Sequence, residues 1–387
     1  MIYINAVGAL NALGNNLDEM ADNLVRGIAP GMHPDCGWLL HDKPCWTGNV
    51  DADLPDIPAE LAQHNSRNNR LLLAALDQIR PQVDAAVARY GAERVAVILG
   101  TSTSGLDEAD RYVSDNLATY CYAQQELGDP SRFLAAYLGL NGPAYTISTA
   151  CSSSARALIS GKRLIDSGLV DVAIVGGADT LSRMPLNGFD SLESLSPMCC
   201  QPFSAQRNGI TIGEGAALMM ISSQSQSDDV AVLGIGESSD AHHMSAPHPE
   251  GEGAIRAINI ALAHAGLQPE NIGYINLHGT ATRLNDQIEA KVIHAVFGDR
   301  VPCSSTKHLT GHTLGAAGIC EAVICWLLLT RDLPLPPQDF SHGMPDASLM
   351  PCGLLSEPGR LARPFILSNS FAFGGNNACL ILGKTND

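Results

Sequence analysis

AYTISTACSSSARALISGKRLID, residues 144–166, is the stretch that decides the fold. An apolar run, Ala144 to Thr149, stops at a cluster of small polar residues. A helix with Ala155, Leu158 and Ile159 on its apolar side begins straight afterwards. A strand that ends at a helix N-terminus is the unit of layered α/β architecture. The same alternation recurs along the chain. Strands are predicted at Val95 to Leu99, Val170 to Val175, Ala216 to Ile221, Tyr274 to Leu277, Phe365 to Ser370 and Cys379 to Leu382, each bounded by Gly, Pro, Asn or Asp. Helices are predicted at Asn69 to Ile79, Ser152 to Asp166, Gly253 to Ala265, Asp286 to Phe297 and Ala316 to Arg331, the last apolar on most faces and therefore buried. Short, apolar strands need cover on both faces, so the expected fold class is α/β, with sheets between helices.

Composition narrows the function classes. The 387 residues carry 23 Lys and Arg against 40 Asp and Glu, a net charge of −17, which argues against a nucleic-acid binder. Aromatic residues are 5% and glycines number 37, so the interior is built from small aliphatic side chains in close layers. No basic segment precedes an apolar stretch at the start, and the longest apolar run, Ala322 to Leu329, is too short for a membrane span. Eleven cysteines at irregular spacing predict reduced thiols and a cytoplasmic protein. His33, Cys36, His41 and Cys45 form a compact group with zinc-type donors, but their spacing is unlike common zinc modules, and no metal or other cofactor is expected.

Three strand-to-helix connections carry side chains suited to acyl transfer. Cys151 lies at the predicted helix N-terminus, where free backbone N–H groups and the helix dipole favour a thiolate. His278 follows the run Tyr274 to Leu277 in His278-Gly279-Thr280-Ala281-Thr282, and His312 precedes the glycine-rich start of the buried helix. A lone cysteine is more often a small buried hydrophobe, and a lone histidine a structural hydrogen bonder; one thiol with two imidazoles in like contexts is a parts list for thioester chemistry. The loop Ser368 to Asn377 also follows a strand, and its Gly374-Gly375 pair lets backbone N–H groups approach a reacting oxygen.

Taken together, Thr149-Ala150-Cys151-Ser152-Ser153-Ser154, Asn276-Leu277-His278-Gly279-Thr280-Ala281-Thr282, Lys307 through Thr310-Gly311-His312 to Gly318, and Asn369-Ser370-Phe371-Ala372-Phe373-Gly374-Gly375-Asn376-Asn377 resemble the β-ketoacyl-acyl carrier protein synthases of the elongating Cys-His-His type. The resemblance runs from the N-terminus to about Gly383. It implies the thiolase fold, with two pseudo-duplicated halves in α-β-α-β-α layers, here residues 1–225 with the cysteine and 226–387 with the histidines, the seam falling near Ser222 to Val230. It also implies decarboxylative condensation of a malonyl carrier with an acyl chain on Cys151, in fatty acid or specialised polyene or polyketide synthesis. The residue roles it implies are an oxyanion hole from the backbone of Cys151 and Phe373, His278 and His312 as donors to the enolate, Lys307 with Glu321 as organisers, and Phe373 and Ile210 as gates of the acyl pocket.

Departures from the family pattern are Ala372 in place of a common glycine, Asn376 in place of a frequent threonine, and Ile210 in place of a phenylalanine; they point to altered gating and a specialised substrate. An acidic acyl carrier protein needs a positive patch, and Arg67 and Arg70 at the start of the helix Asn69 to Ile79 are the docking candidates, with Arg132 a weaker one. The expected assembly is a homodimer, or a heterodimer with a chain-length-factor subunit. A degradative thiolase is disfavoured because the last loop lacks a second cysteine, and an initiating synthase because the second imidazole is present. The alternative reading is a chain-length-factor-like subunit with little activity of its own.

Overall fold

The computed structural model describes residues 1–115, 120–225 and 230–384. Ten strands join in one sheet, in the spatial order Cys303–Ser304, Tyr274–Asn276, Phe365–Phe371, Asn376–Lys384, Val230–Ser239, Tyr3–Asn11, Gly215–Ser222, Val172–Asp179, Val95–Gly100, Ala144–Ile147. Its middle is a thin joint, where Tyr3 opposes Ala231 and Ile4 opposes Val230. Outward from that joint, both five-stranded wings run through their own strands in the order first, fifth, fourth, second, third. Strand directions repeat as well: in each wing the first, fifth and fourth strands are antiparallel neighbours, and the fourth, second and third are parallel. One topology drawn twice is the pseudo-duplication expected of the thiolase fold. Of the expected seam, residues 226–229 lie outside the described residues.

Each wing places a helix after its third strand, Ser153–Asp166 in the first and Ala317–Thr330 in the second. These two helices pack together between the wings, in a core that includes Leu158, Ile159, Ile319 and Val323. Gly318 makes the contact close, since a Cβ there would stand 2.8 Å from the Ala155 Cβ and 2.9 Å from its nitrogen. Arg67–Asp77 and Asp129–Leu138 cover the outer face of the first wing, and Glu252–Ala265 and Arg283–Phe297 that of the second. The result is α-β-α-β-α layering, with helix Ala317–Thr330 buried almost all round, as its composition predicted.

The expected elements are present with ends shifted by a few residues, but the two strands at the joint were not anticipated. Tyr3–Asn11 and Val230–Ser239 contain Gly8, Gly234 and Gly236, which lower strand propensity. Packing explains them: a Cβ on Gly8 would lie 2.1 Å from the Ala75 carbonyl oxygen, and one on Gly236 1.9 Å from that of Ala257. The strand that opens the deciding stretch is shorter than expected, Ala144–Ile147, and is a half-exposed sheet edge rather than a buried central strand.

Candidate active site

The nucleophile turn is built by its serines. Ala150 has φ of 52°, a left-handed conformation that an L side chain adopts at a cost of about 1–3 kcal/mol, and the turn needs support. Ser153 Oγ accepts from the Thr149 N–H at 2.9 Å and donates to the Ala150 carbonyl at 2.6 Å. Ser152 Oγ donates to the Thr149 carbonyl at 2.8 Å. Ser154 Oγ accepts from the Ile319 N–H at 3.0 Å, tying the nucleophile helix to the buried helix of the other half. The turn aims the Cys151 sulfur into a cavity of about 470 Å³.

His278, His312 and Cys151 converge there. The Nε2 of His312 lies 3.0 Å from Cys151 Sγ, and the two imidazole rings are 5.5 Å apart and nearly perpendicular. Hydrogen bonds set the tautomers. The Leu314 N–H donates to His312 Nδ1 at 3.2 Å, so the neutral ring carries its proton on Nε2, facing the sulfur. Lys307 Nζ lies 3.4 Å from His278 Nδ1 and donates to the His278 carbonyl at 2.5 Å, which leaves His278 Nε2 as the N–H as well. Burial first, then the Lys307 charge, holds both imidazoles well below the ordinary histidine value. Both are therefore neutral donors near pH 7.

Lys307 and Glu321 form the buried ion pair expected of them. Among the described residues, Glu321 Oε2 has no hydrogen-bond partner. The thiol differs from its expectation. Burial pushes Cys151 up to about 11, outweighing the Lys307 charge and the N–H groups of Phe373 and Cys151, which pull it down. A helix end favours a thiolate, but loss of solvation opposes it more strongly here, Cys151 being 6% exposed.

Buried carboxylates carry the loops, and sequence reasoning missed them. Glu289 accepts from the backbone of His278 at 2.8 Å and Gly279 at 2.7 Å, and burial pushes it up to about 7. Asp286 accepts from Phe203 N at 2.8 Å and Ala281 N at 3.2 Å, and burial pushes it to about 6. Asp179 collects Thr101 Oγ1, the N–H groups of Ser102, Thr103 and Ala316, and Thr103 Oγ1. The available signal was an acidic residue on the apolar face of a predicted helix, Asp286 and Glu289 three positions apart.

Ile210 and Phe373 both line the cavity, and the Phe373 ring meets Phe189 at 5.6 Å. The last loop turns on Gly374 and Gly375, with φ of 84° and 74°, which need glycine. Arg67 is not a free docking cation: its guanidinium clamps Glu214 at 2.6 and 2.9 Å and also donates to the Val50 carbonyl. Arg70 stays at the surface with the exposed Asp56 at 3.2 Å, and Arg132 pairs with Glu126.

Among the described residues, the one group of three or more metal-type donors that meet is Cys151, His278 and His312, so His33, Cys36, His41 and Cys45 are not gathered into a site. Thiol and imidazoles suit zinc, yet the Lys307 ammonium beside His278 opposes a dication at that place. Among the described residues no helix is long and apolar enough to cross a membrane.

Cysteine at one strand-to-helix turn, two histidine donors from the other half and backbone N–H groups at the sulfur define a thioester-condensing site. The profile of the beta-ketoacyl synthase N-terminal domain matches residues 1–227, and that of the C-terminal domain residues 230–340. The chain belongs to the β-ketoacyl synthase family. It is 33% identical to nodulation protein E of Rhizobium meliloti, covering 98% of both chains, and 29% identical to 3-oxoacyl-[acyl-carrier-protein] synthase 2 of Synechocystis, covering 99% and 98%. A solved ketosynthase in complex with its chain length factor from Xenorhabdus doucetiae is similar at 64% identity and TM-score 0.97, over 99% of this chain and 98% of that one.

Proposed function

We propose that the protein is an elongating β-ketoacyl-acyl carrier protein synthase. The observation that supports this most is the pair of Nε2–H donors, on His278 and His312, that share a buried cavity with the Cys151 sulfur. In the first half-reaction Cys151 attacks the thioester of an acyl carrier. The carbon–sulfur bond to the carrier breaks, the acyl group passes to Cys151, and the thiol proton leaves on the departing carrier thiol, so no strong base is needed. The N–H groups of Phe373 and Cys151 take the tetrahedral oxyanion. In the second, a malonyl carrier loses carbon dioxide, and the enolate oxygen is held by His278 and His312 while its carbon attacks the acyl-Cys151 carbonyl. The sulfur departs as a thiolate and takes a proton from water that enters the cavity, leaving a β-ketoacyl carrier two carbons longer.

Neutral imidazoles suit this role, because a donor that stays uncharged stabilises a developing anion without first losing a proton to solvent. Lys307 and Glu321 act as positioning residues for His278, and Phe373 with Ile210 as gates to the acyl space. Residues 1–225 and 226–387 serve as the two halves, one carrying the nucleophile and the other both histidines. The working assembly is a dimer, with an identical chain or with a chain-length-factor subunit, the latter supported by the Xenorhabdus relative being seen in such a complex. The half-exposed edge strand Ala144–Ile147 offers a place for it. The reaction takes place in the cytoplasm, needs no cofactor beyond the carrier's pantetheine arm, and belongs to a specialised polyene or polyketide pathway.

Mass spectrometry of the protein during turnover should find an acyl group on Cys151, and its mass names the substrate. An unmodified Cys151 with condensation proceeding overturns the mechanism and favours the chain-length-factor reading. Arg70→Glu should raise the KM for acyl carrier protein at low salt; an unchanged KM removes Arg70 from docking.

A further inference from the structure

Among the described residues, the wall of the cavity that ends at Cys151 holds a single Lys or Arg, Arg283. It is exposed, and among the described residues its guanidinium has no carboxylate or hydrogen-bond partner. Other surface cations, Arg26 and Arg300 among them, also lack an ion pair among the described residues, so what sets Arg283 apart is its place on the cavity wall. Arg67, Arg70, Arg94, Arg207 and Lys291 are all paired with carboxylates, as expected where acids outnumber bases by 17. The other charges on the cavity wall, Glu193 and Asp240, are negative. Asp240 is also occupied, accepting from Asn377 Nδ2 at 2.7 Å and the His248 N–H at 3.0 Å.

The backbone beneath Arg283 is fixed from behind. Its carbonyl accepts from Arg207, whose guanidinium pairs with Asp346 at 2.5 Å, and the preceding turn is clamped by Asp286 through Ala281. An unpaired guanidinium on a fixed backbone at the open end of a deep cavity is arranged to take an anion from outside.

We propose that Arg283 binds the phosphodiester at the head of the pantetheine arm, and so holds a threaded thioester at the depth where it meets Cys151. This rests on the function proposed above. The malonyl carboxylate is the other anion of that substrate, but it belongs at the buried end beside His278 and His312, while the phosphate is the part of the arm that remains at the mouth. Without Arg283, the charged side chains left on the described wall would be Glu193 and Asp240, both negative.

The test compares two small substrates, malonyl-phosphopantetheine and malonyl-pantetheine, which differ only in the phosphate, with release of carbon dioxide as the readout. The native protein should favour the phosphorylated thioester by about tenfold in kcat/KM, carried by KM, with the preference shrinking as salt rises. In Arg283→Ala the ratio should fall to about one, and Arg283→Lys should recover part of it. Equal use of both substrates by the native protein, or a preference that survives Arg283→Ala, overturns the assignment. So does an Arg283→Ala defect confined to carrier-bound malonyl, which would move the residue to protein docking. No release from either thioester, or from malonyl carrier protein, overturns the underlying function instead.

Discussion

The two halves have one topology and two chemistries. In each, the connection after the second strand is gathered by a buried carboxylate: Asp179 takes the N–H groups of Ser102 and Thr103, and Glu289 those of His278 and Gly279. In each, the connection after the third strand leads into a central helix. The scaffolding device is therefore repeated, while the reactive side chains are not. The first half places Cys151 after its third strand; the second places Lys307 and His312 at the corresponding connection and His278 after its second strand. The sulfur and the His312 Nε2, 3.0 Å apart, come from equivalent places in the duplication. A site divided in this way exists only when the halves are packed together.

Substitutions on both sides of this division, and one pH profile, probe it. Cys151→Ala should lower condensation by at least ~10³-fold and abolish the enzyme-bound acyl group seen by intact-mass analysis. Removing a donor from the second half separates the steps: His278→Ala should slow malonyl decarboxylation ~10²–10³-fold while Cys151 still accepts an acyl group, because the imidazole hydrogen-bonded to the sulfur is that of His312. Equal loss of both steps would show that the halves do not divide the work. Lys307→Met leaves Glu321 buried and uncompensated, at a cost of about 3–5 kcal/mol read from denaturant unfolding, and adding Glu321→Leu should restore much of it.

The pH profile follows from the imidazoles. Both are held well below the ordinary value, so condensation from preformed acyl-enzyme should show no acidic fall between about pH 7.5 and 6. The stability they contribute has a definite sign: with the folded value depressed, it is complete above the unfolded value near 6.5 and is lost as pH falls below it. Comparing acid unfolding of the native protein with that of His278→Gln isolates this part. The smallest effect is expected at the bridge between the halves. Ser154→Ala removes the acceptor for the Ile319 N–H and should cost about 1–3 kcal/mol, with Cys151 acylation little changed.

Local chemistry made the deciding turn legible. The small residues from Thr149 to Ser154, the histidines after apolar runs and the all-round apolar helix Ala317–Thr330 could be read because each signal lies within a few neighbouring residues. The joint strands could not, since Gly8 and Gly236 are explained only by carbonyls of helices that pack on them from elsewhere in the chain. Arg67 looked like a free surface cation because Glu214, its partner, lies 147 positions away. The Cys151 thiol was misjudged for a similar reason: a helix end is visible in sequence, but the layers that keep water from the sulfur are not.

The contact of Gly318 with Ala155 bears on how such a protein acquires new substrates. Because a methyl group at Gly318 would press on Ala155 in the helix that follows Cys151, the packing of the two central helices resists change, and adaptation to longer or stiffer chains falls to side chains that line the cavity, Phe189 and Phe373 among them.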